Sequence, residues 1–255
     1  PANYFDLFRR AHEAGKRIDP ELKIMASLAS ADQVENLELL AGMGLTNMFD
    51  GLVIHTYGNP AKHLTNAQRW MKKYGHGGKD LIVGETGRGG AVGSFEAEWR
   101  QAVHVPEVFF SAATVEGVVG IDWFVLCDGF RPFGFGLVDW RFEPTLSAVA
   151  YHTTARLMSG AVGGSSRTEG PVRIHVIERE GRPPLTGMWV VGETGAVRIG
   201  LRNRSKQPPA AWNLMGRRRE LSLGEGTTWI ELDGDPLLIE GDVEVAFPLH
   251  MSLSP

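Results

Sequence analysis

At 255 residues, with 43% apolar and 22% charged residues, the chain has the composition of a globular protein able to bury a sizeable core in one large or two moderate domains. A net charge of −4 leaves no electrostatic footprint for nucleic acid or an anionic membrane surface, and no apolar run approaches the ~20 residues of a membrane-spanning helix. The single cysteine, Cys127, excludes an internal disulfide framework and a cysteine-based metal cluster, and it leaves the compartment open.

The first residues, Pro1-Ala2-Asn3-Tyr4-Phe5, have neither an initiator methionine nor the regions of a signal peptide, so the gene-encoded start is expected to lie elsewhere. Residues 4–17 place Phe5, Phe8, Ala11 and Ala14 at three-residue intervals before Asp19-Pro20, which predicts an amphipathic helix. Residues 22–28 read as a short strand. Ala31-Asp32 caps a second helix through Val34, Leu37, Leu40 and Ala41, closed by Gly42 and Gly44. The alternation continues with a strand over 51–57, a helix over 60–74, a strand over 81–84 and a helix over 95–115, irregular around Pro106. A strand over 118–126, an irregular loop rich in Phe and Gly and a helix over 144–159 follow. A helix followed by four strand-helix units predicts parallel strands and an α/β class.

From residue 161 the texture changes. Gly163-Gly164-Ser165-Ser166 predicts a linker-like turn, and short alternating runs follow at 172–178, 185–191, 196–201, 211–214, 227–232 and 237–239. Turn residues such as Arg179-Glu180-Gly181 and Asp233-Gly234-Asp235-Pro236 separate them, and Arg217-Arg218-Arg219 reads as an exposed turn. This spacing predicts an antiparallel β-sandwich over 161–255. The expected class is therefore α/β plus all-β. A complete eight-stranded (β/α)8 barrel needs about 250 residues, and the smallest about 200. Residues 1–160 hold four strands, so any barrel here is partial and cannot close alone.

The segment Asp80-Leu81-Ile82-Val83-Gly84-Glu85-Thr86-Gly87 supplies the candidate chemistry. An apolar run ends on a glutamate and is followed by Thr86, Gly87, Gly89, Gly90 and Gly93. A polar residue at the carboxyl end of a buried parallel strand lies where barrel active sites are built. Glu85 is either that catalytic group or a strand-end carboxylate paired with Arg88 or Lys79.

With these elements placed, the chain resembles the second half of a clan A glycoside hydrolase, a retaining β-glycosidase on a (β/α)8 barrel. Within the clan the likeness is to family 39 and to the family 5-like enzymes with an appended sandwich, and it covers nearly the whole chain. Ile18-Asp19-Pro20-Glu21-Leu22-Lys23 is similar to the passage from the fourth helix into the fifth strand. Phe49-Asp50-Gly51-Leu52-Val53-Ile54-His55-Thr56-Tyr57 is similar to the sixth strand. Val83-Gly84-Glu85-Thr86-Gly87 is similar to the seventh, whose terminal glutamate is the nucleophile, and Gly120-Ile121-Asp122-Trp123-Phe124 to the eighth, whose tryptophan floors the sugar site. Phe133 to Tyr151 is similar to the passage into the last helix.

The resemblance implies hydrolysis of β-glycosides with retention, by two carboxyl groups ~5–5.5 Å apart. Glu85 would attack the anomeric carbon. Tyr57, on the neighbouring strand, would orient that carboxylate or leave its hydroxyl in solvent. His55, two residues earlier and so on the same side of the strand, would bond a sugar hydroxyl or a carboxylate, or be structural. Trp123 would offer an apolar face to a pyranose, or be core.

The chain departs from the family in one respect. The clan's acid/base glutamate follows an asparagine at the end of the fourth strand, which would precede Tyr4, and no Asn-Glu-Pro triplet occurs. Glu116, Asp122, Asp128 and Asp139 do not match that motif. The acid/base is thus missing from this chain, and the expected partners are a glycoside, oligosaccharide or polysaccharide substrate and either a second copy or a complementing N-terminal half-barrel. The alternative is a non-catalytic carbohydrate-binding or scaffold protein derived from a glycosidase.

No cofactor is expected: Gly87-Arg88-Gly89-Gly90-Ala91-Val92-Gly93 fits neither the dinucleotide nor the Walker pattern. Nor is a metal expected, since His63, His76, His104, His152, His175 and His250 lack ligand spacing. Trp189, Trp212 and Trp229 in the second part either bind glycan or are core.

Overall fold

The computed structural model describes residues 2–28, 34–58, 60–91, 93–128, 134–192, 195–221, 223 and 226–248. The Ala31-Asp32 cap, Val92, Phe133 and His250 lie outside them. The chain divides into two compact units, Pro1–Gly87 with Val115–Phe124, and Arg88–Thr114 with Val125–Pro255.

The first unit is α/β. Helix α1 (Ala2–Ile18), strand β1 (Met25–Leu28), α2 (Val34–Gly42), β2 (Gly51–His55), α3 (Pro60–Lys73), β3 (Asp80–Thr86) and β4 (Val118–Trp123) follow in chain order. The four strands form one sheet in the order β1-β2-β3-β4, with every pairing parallel as the alternation predicts. Leu52, Ile54, Leu81 and Val83 are fully buried on one face, and the helices carry buried stripes of their own, Phe8 in α1 and Leu64, Ala67, Trp70 and Met71 in α3. Val53, His55, Ile82 and Gly84 take the other face and are only partly buried.

β1 ends the sheet on one side, where unpaired backbone groups invite unwanted pairing. The Tyr4 hydroxyl occupies that edge, donating to the Ser27 carbonyl at 2.8 Å and accepting from its N–H at 3.1 Å. Burial raises the Tyr4 phenol above its ordinary range, against the lowering effect of the backbone bond.

The second unit holds α4 (Phe95–Ala113) and α5 (Leu146–Met158), then β5 (Ala161–Glu169), β6 (Val172–Arg179), β7 (Leu185–Val190), β8 (Val197–Asn203) and β9 (Ala210–Trp212). Strands β10 (Arg218–Arg219), β11 (Thr228–Leu232), β12 (Leu237–Glu240) and β13 (Val243–Ala246) complete it. Among the described residues these strands make a six-stranded sheet, β10-β9-β12-β7-β6-β5, and a three-stranded sheet, β11-β8-β13, both antiparallel. Val172, Ile174, Met188, Val190 and Ile239 of the first pack with Ile199, Leu201 and Leu232 of the second in one core.

The opposite face of the large sheet meets α4. Phe110 packs edge-on against Trp189 and His175, and a Cβ on Gly187 would lie 2.5 Å from its ring, so only glycine fits beneath it. α4 runs unbroken through Pro106 rather than turning irregular there.

Three further expectations need correction. Gly163-Gly164-Ser165-Ser166 is not a turn but part of the edge strand β5, where a Cβ on Gly164 would fall 2.5 Å from the Val176 carbonyl oxygen. The small residues there serve close strand approach, not chain flexibility. Arg218 and Arg219 pair with β9 as a short exposed strand.

Arg179, read as a turn residue, ends β6 with a fully buried side chain. Its guanidinium donates to the Leu157 carbonyl at the end of α5 (2.6 Å), to the Pro183 carbonyl (2.8 Å) and to Glu240 (2.8 Å). Arg182 joins Glu240 at 2.8 Å and the Arg156 carbonyl at 3.2 Å. A basic group at a helix C-terminus satisfies orphan carbonyls and complements the dipole. Burial pushes the Glu240 carboxyl up, but the two guanidiniums outweigh it and hold it below its ordinary range.

Candidate active site

The site is built where three neighbouring parallel strands end. His55 is the last residue of β2, Glu85 the last but one of β3 and Trp123 the last of β4. The ladder continues past the strands: the Thr56 N–H donates to the Glu85 carbonyl at 2.9 Å and the Phe124 N–H to the Thr86 carbonyl at 2.7 Å. Backbone hydrogen bonds thus fix the depth of each side chain at the carboxyl edge of the sheet.

A bulge sets the aim of Glu85. Ile54 pairs with Val83 but His55 pairs with Glu85, so Gly84 is an extra residue in β3. In an unbroken register Gly84 would face His55 and Glu85 would sit opposite Thr56. With the bulge, Glu85 and His55 become direct cross-strand neighbours, the re-aiming that bulges perform beside functional sites. Glycine is required at the extra position, because a Cβ on Gly84 would lie 2.2 Å from Val53 Cγ1.

Both oxygens of the Glu85 carboxylate are engaged. Oε1 accepts from the Tyr57 hydroxyl, and Oε2 lies 2.7 Å from His55 Nδ1. A carboxylate oxygen can only accept, which places the proton on Nδ1. Burial first, and then the bond to Glu85, holds the Tyr57 phenol well above the ordinary tyrosine range, so it stays a donor at neutral pH. Arg88 and Lys79 are not the partners of Glu85 here: Lys79 donates to the Phe49 carbonyl and sits 4.6 Å over the Phe49 ring.

The Tyr57 hydroxyl is therefore not left to solvent, although the residue is 43% exposed. Its ring is met edge-on by Phe124, with centroids 6.4 Å apart. Trp123, half-buried, pairs its backbone with Thr86 one residue beyond Glu85.

Phe124 and the pair Thr56–His63 behind the strand end (2.8 Å) were not singled out by the sequence reading. Phe124 follows Trp123 directly, and an aromatic pair at a strand end was the available signal. The other carboxylates have other work. Glu116 is tied to Lys72 at 2.7 Å, Asp128 accepts from the Phe135 N–H, and Asp139 accepts from the Arg141 and Glu143 N–H groups at 2.8 and 2.9 Å. Asp122 is exposed on β4. No group of three or more His, Cys, Asp or Glu able to hold a metal occurs among the described residues.

No protein-family model matches the sequence, and no curated protein does. Solved structures of glycoside hydrolases do. A family 39 glycoside hydrolase from the gut symbiont Bacteroides cellulosilyticus aligns over 94% of this chain and 55% of its own, with TM-score 0.76 and 14% identity. A GH30 endoxylanase from Clostridium papyrosolvens aligns over 97% of this chain and 61% of its own, with TM-score 0.63 and 11% identity. A GH51 arabinofuranosidase from Xanthomonas axonopodis pv. citri aligns over 97% and 62%, with TM-score 0.51 and 11% identity. At these identities the likeness is one of fold, and the chain spans less than two thirds of each of these structures.

Proposed function

We propose that this chain carries the nucleophile half of a retaining glycoside hydrolase acting on β-glycosidic bonds. The parallel strands of residues 1–160 correspond to strands five to eight of the barrel, and residues 161–255 are an appended sandwich. The observation that carries the reading is the clamp on Glu85: a carboxylate at the carboxyl end of a parallel strand, one oxygen bonded to Tyr57 and the other to His55. After accepting one bond each oxygen keeps a second lone pair, so the clamp orients the group without consuming its nucleophilic electrons.

In this reading Glu85 attacks the anomeric carbon as the bond to the leaving oxygen breaks. That oxygen takes a proton from a second carboxylic acid. Water, deprotonated by the same second group, then attacks the anomeric carbon and releases Glu85. Trp123, with Phe124 beside it, offers apolar surface to the sugar ring.

The second carboxylic acid would come from the first half of the barrel, carried by another part of the same polypeptide or by a complementing half-barrel; a second copy of residues 1–255 would close the sheet without supplying it. The partly exposed sheet face around Val53 and Ile82 and the terminal strand β4 support such pairing. A monodisperse monomer at micromolar concentration by light scattering counts against a second copy.

The deciding experiment is intact-protein mass spectrometry after incubation with 2-deoxy-2-fluoro glycosides bearing activated leaving groups, which depart with little acid assistance. The expected result is a one-sugar adduct mapping to Glu85 and absent from Glu85→Gln. Folded protein that forms no adduct with any sugar overturns the reading. Sugar binding unchanged by Glu85→Gln in folded protein that forms no adduct with any fluoro-glycoside would instead identify a carbohydrate-binding protein.

A further inference from the structure

The structure separates the three tryptophans of the second part. Trp189 is fully buried, stacked on His175 with centroids 4.9 Å apart. Trp212 is half-buried, with the Arg156 guanidinium 4.7 Å over its ring. Trp229 is 40% exposed.

It stands on the outward face of the β11-β8-β13 sheet. Val197, Ile199, Leu201, Leu232 and Val245 point inward to the core, so the alternating positions Arg198, Gly200, Arg202 and Trp229 point outward. Trp229 pairs with Gly200, and a Cβ there would meet its Cζ3 at 3.2 Å and its Cε3 at 3.4 Å. The indole thus lies against the glycine, across the middle of the sheet face.

The guanidiniums on this face differ. Arg202 donates to Thr227 Oγ1 at 3.3 Å and lies 3.9 Å from Glu244, and Arg204 also reaches Glu244, at 3.2 Å. Arg198, whose guanidinium is 5.4 Å from the Trp229 ring centroid, stands across the ladder from the exposed Glu231 but forms no ion pair with it or with any other described carboxylate. An exposed indole beside a cation that is not held in an ion pair joins an apolar plane to a planar two-donor fork. A pyranose presents a flat C–H face to the first, and a carboxylate matches the second bidentately.

We propose that Trp229 and Arg198 form a binding site for acidic, uronate-bearing oligosaccharides on the outer face of this sheet. The ring stacks on the indole and the sugar carboxylate bonds to Arg198. The site does not involve Glu85, so it stands or falls apart from the nucleophile.

The test is isothermal titration calorimetry of the whole chain with trimers of galacturonate, glucuronate and mannuronate and with their carboxyl-reduced, neutral counterparts. At least one acidic trimer is expected to bind. Trp229→Ala and Arg198→Gln should each weaken it by about tenfold or more, as loss of a stacking platform or of a bidentate charge-assisted pair does, and Glu85→Gln should leave it unchanged. Arg198→Gln changes an exposed side chain, so its result does not depend on refolding around a lost indole. The proposal is overturned if no acidic trimer binds at millimolar concentration, if neutral and acidic trimers bind alike, or if either substitution leaves the affinity intact.

Discussion

Strands β7 and β3 are both rich in apolar residues, and their surroundings differ. All six residues of β7 are buried, since the small sheet seals one face and α4 the other. In β3, Leu81 and Val83 are fully buried while Ile82, Gly84 and Glu85 keep contact with solvent. A strand sealed on both faces has room only for apolar packing. A strand with one face partly open can end on a charged group that is hydrogen-bonded and still reachable, which is what a nucleophile needs.

The contrast is most directly broken by paired truncations. Met188→Ala in the sealed strand should cost about 2–5 kcal/mol, as buried Met-to-Ala changes do. Ile82→Ala on the partly open face should cost about 1 kcal/mol, because less apolar area is lost from a buried environment. Urea unfolding of both variants checks this, and equal costs would remove the distinction.

A pH titration of stability sharpens it. His175 is 1% exposed between Trp189 and Phe110, with neither ring nitrogen hydrogen-bonded among the described residues, and burial, then Arg173, lowers its pKa from 6.5 to about 4. The unfolded chain protonates this imidazole below pH 6.5, and the folded chain does not until about 4. Stability is therefore whole above 6.5, declines as pH falls towards 4 and levels off below that. The loss is about 3 kcal/mol. In His175→Phe this part of the pH dependence should vanish from denaturant midpoints measured across the window.

Gly84→Ala probes the open strand. Its Cβ would clash with Val53, an overpacking cost of about 1–3 kcal/mol, and the bulge that sets Glu85 opposite His55 should be disturbed. Fluoro-sugar labelling of Glu85 should slow, and Val53→Ala in the same chain should restore it. Labelling at the original rate in Gly84→Ala would show that the bulge does not aim Glu85.

The smallest effect has the opposite sign. Phe142 is 74% exposed and holds φ at 64°, a left-handed conformation that costs a bulky residue about 1 kcal/mol or more. Phe142→Gly should raise the unfolding midpoint by a corresponding amount.

Much of this was legible in the residues. The alternation of strand and helix periods through residue 158 gave the parallel sheet, and an apolar run ending in Gly84-Glu85 gave the central group. His55 and Tyr57, two apart at the end of one strand, could be read as facing the same side. β5 and β13 were not legible as strands. The glycines and serines of β5 resemble turn chemistry, and only the β6 backbone beside Gly164 shows why they are small.

The sequence by itself determined the order and type of most elements, the parallel and antiparallel textures, and Glu85 as the candidate, because hydrophobic period and turn residues are local. The tertiary structure alone decided what lies across from each residue. It decided the bulge at Gly84, the bonds of Tyr57 and His55 to one carboxylate, the burial of Arg179 against α5, and the placing of Trp189 in the core with Trp229 outside. Periodicity records that a face is buried, whereas register and the neighbour that buries it depend on residues far apart in the chain.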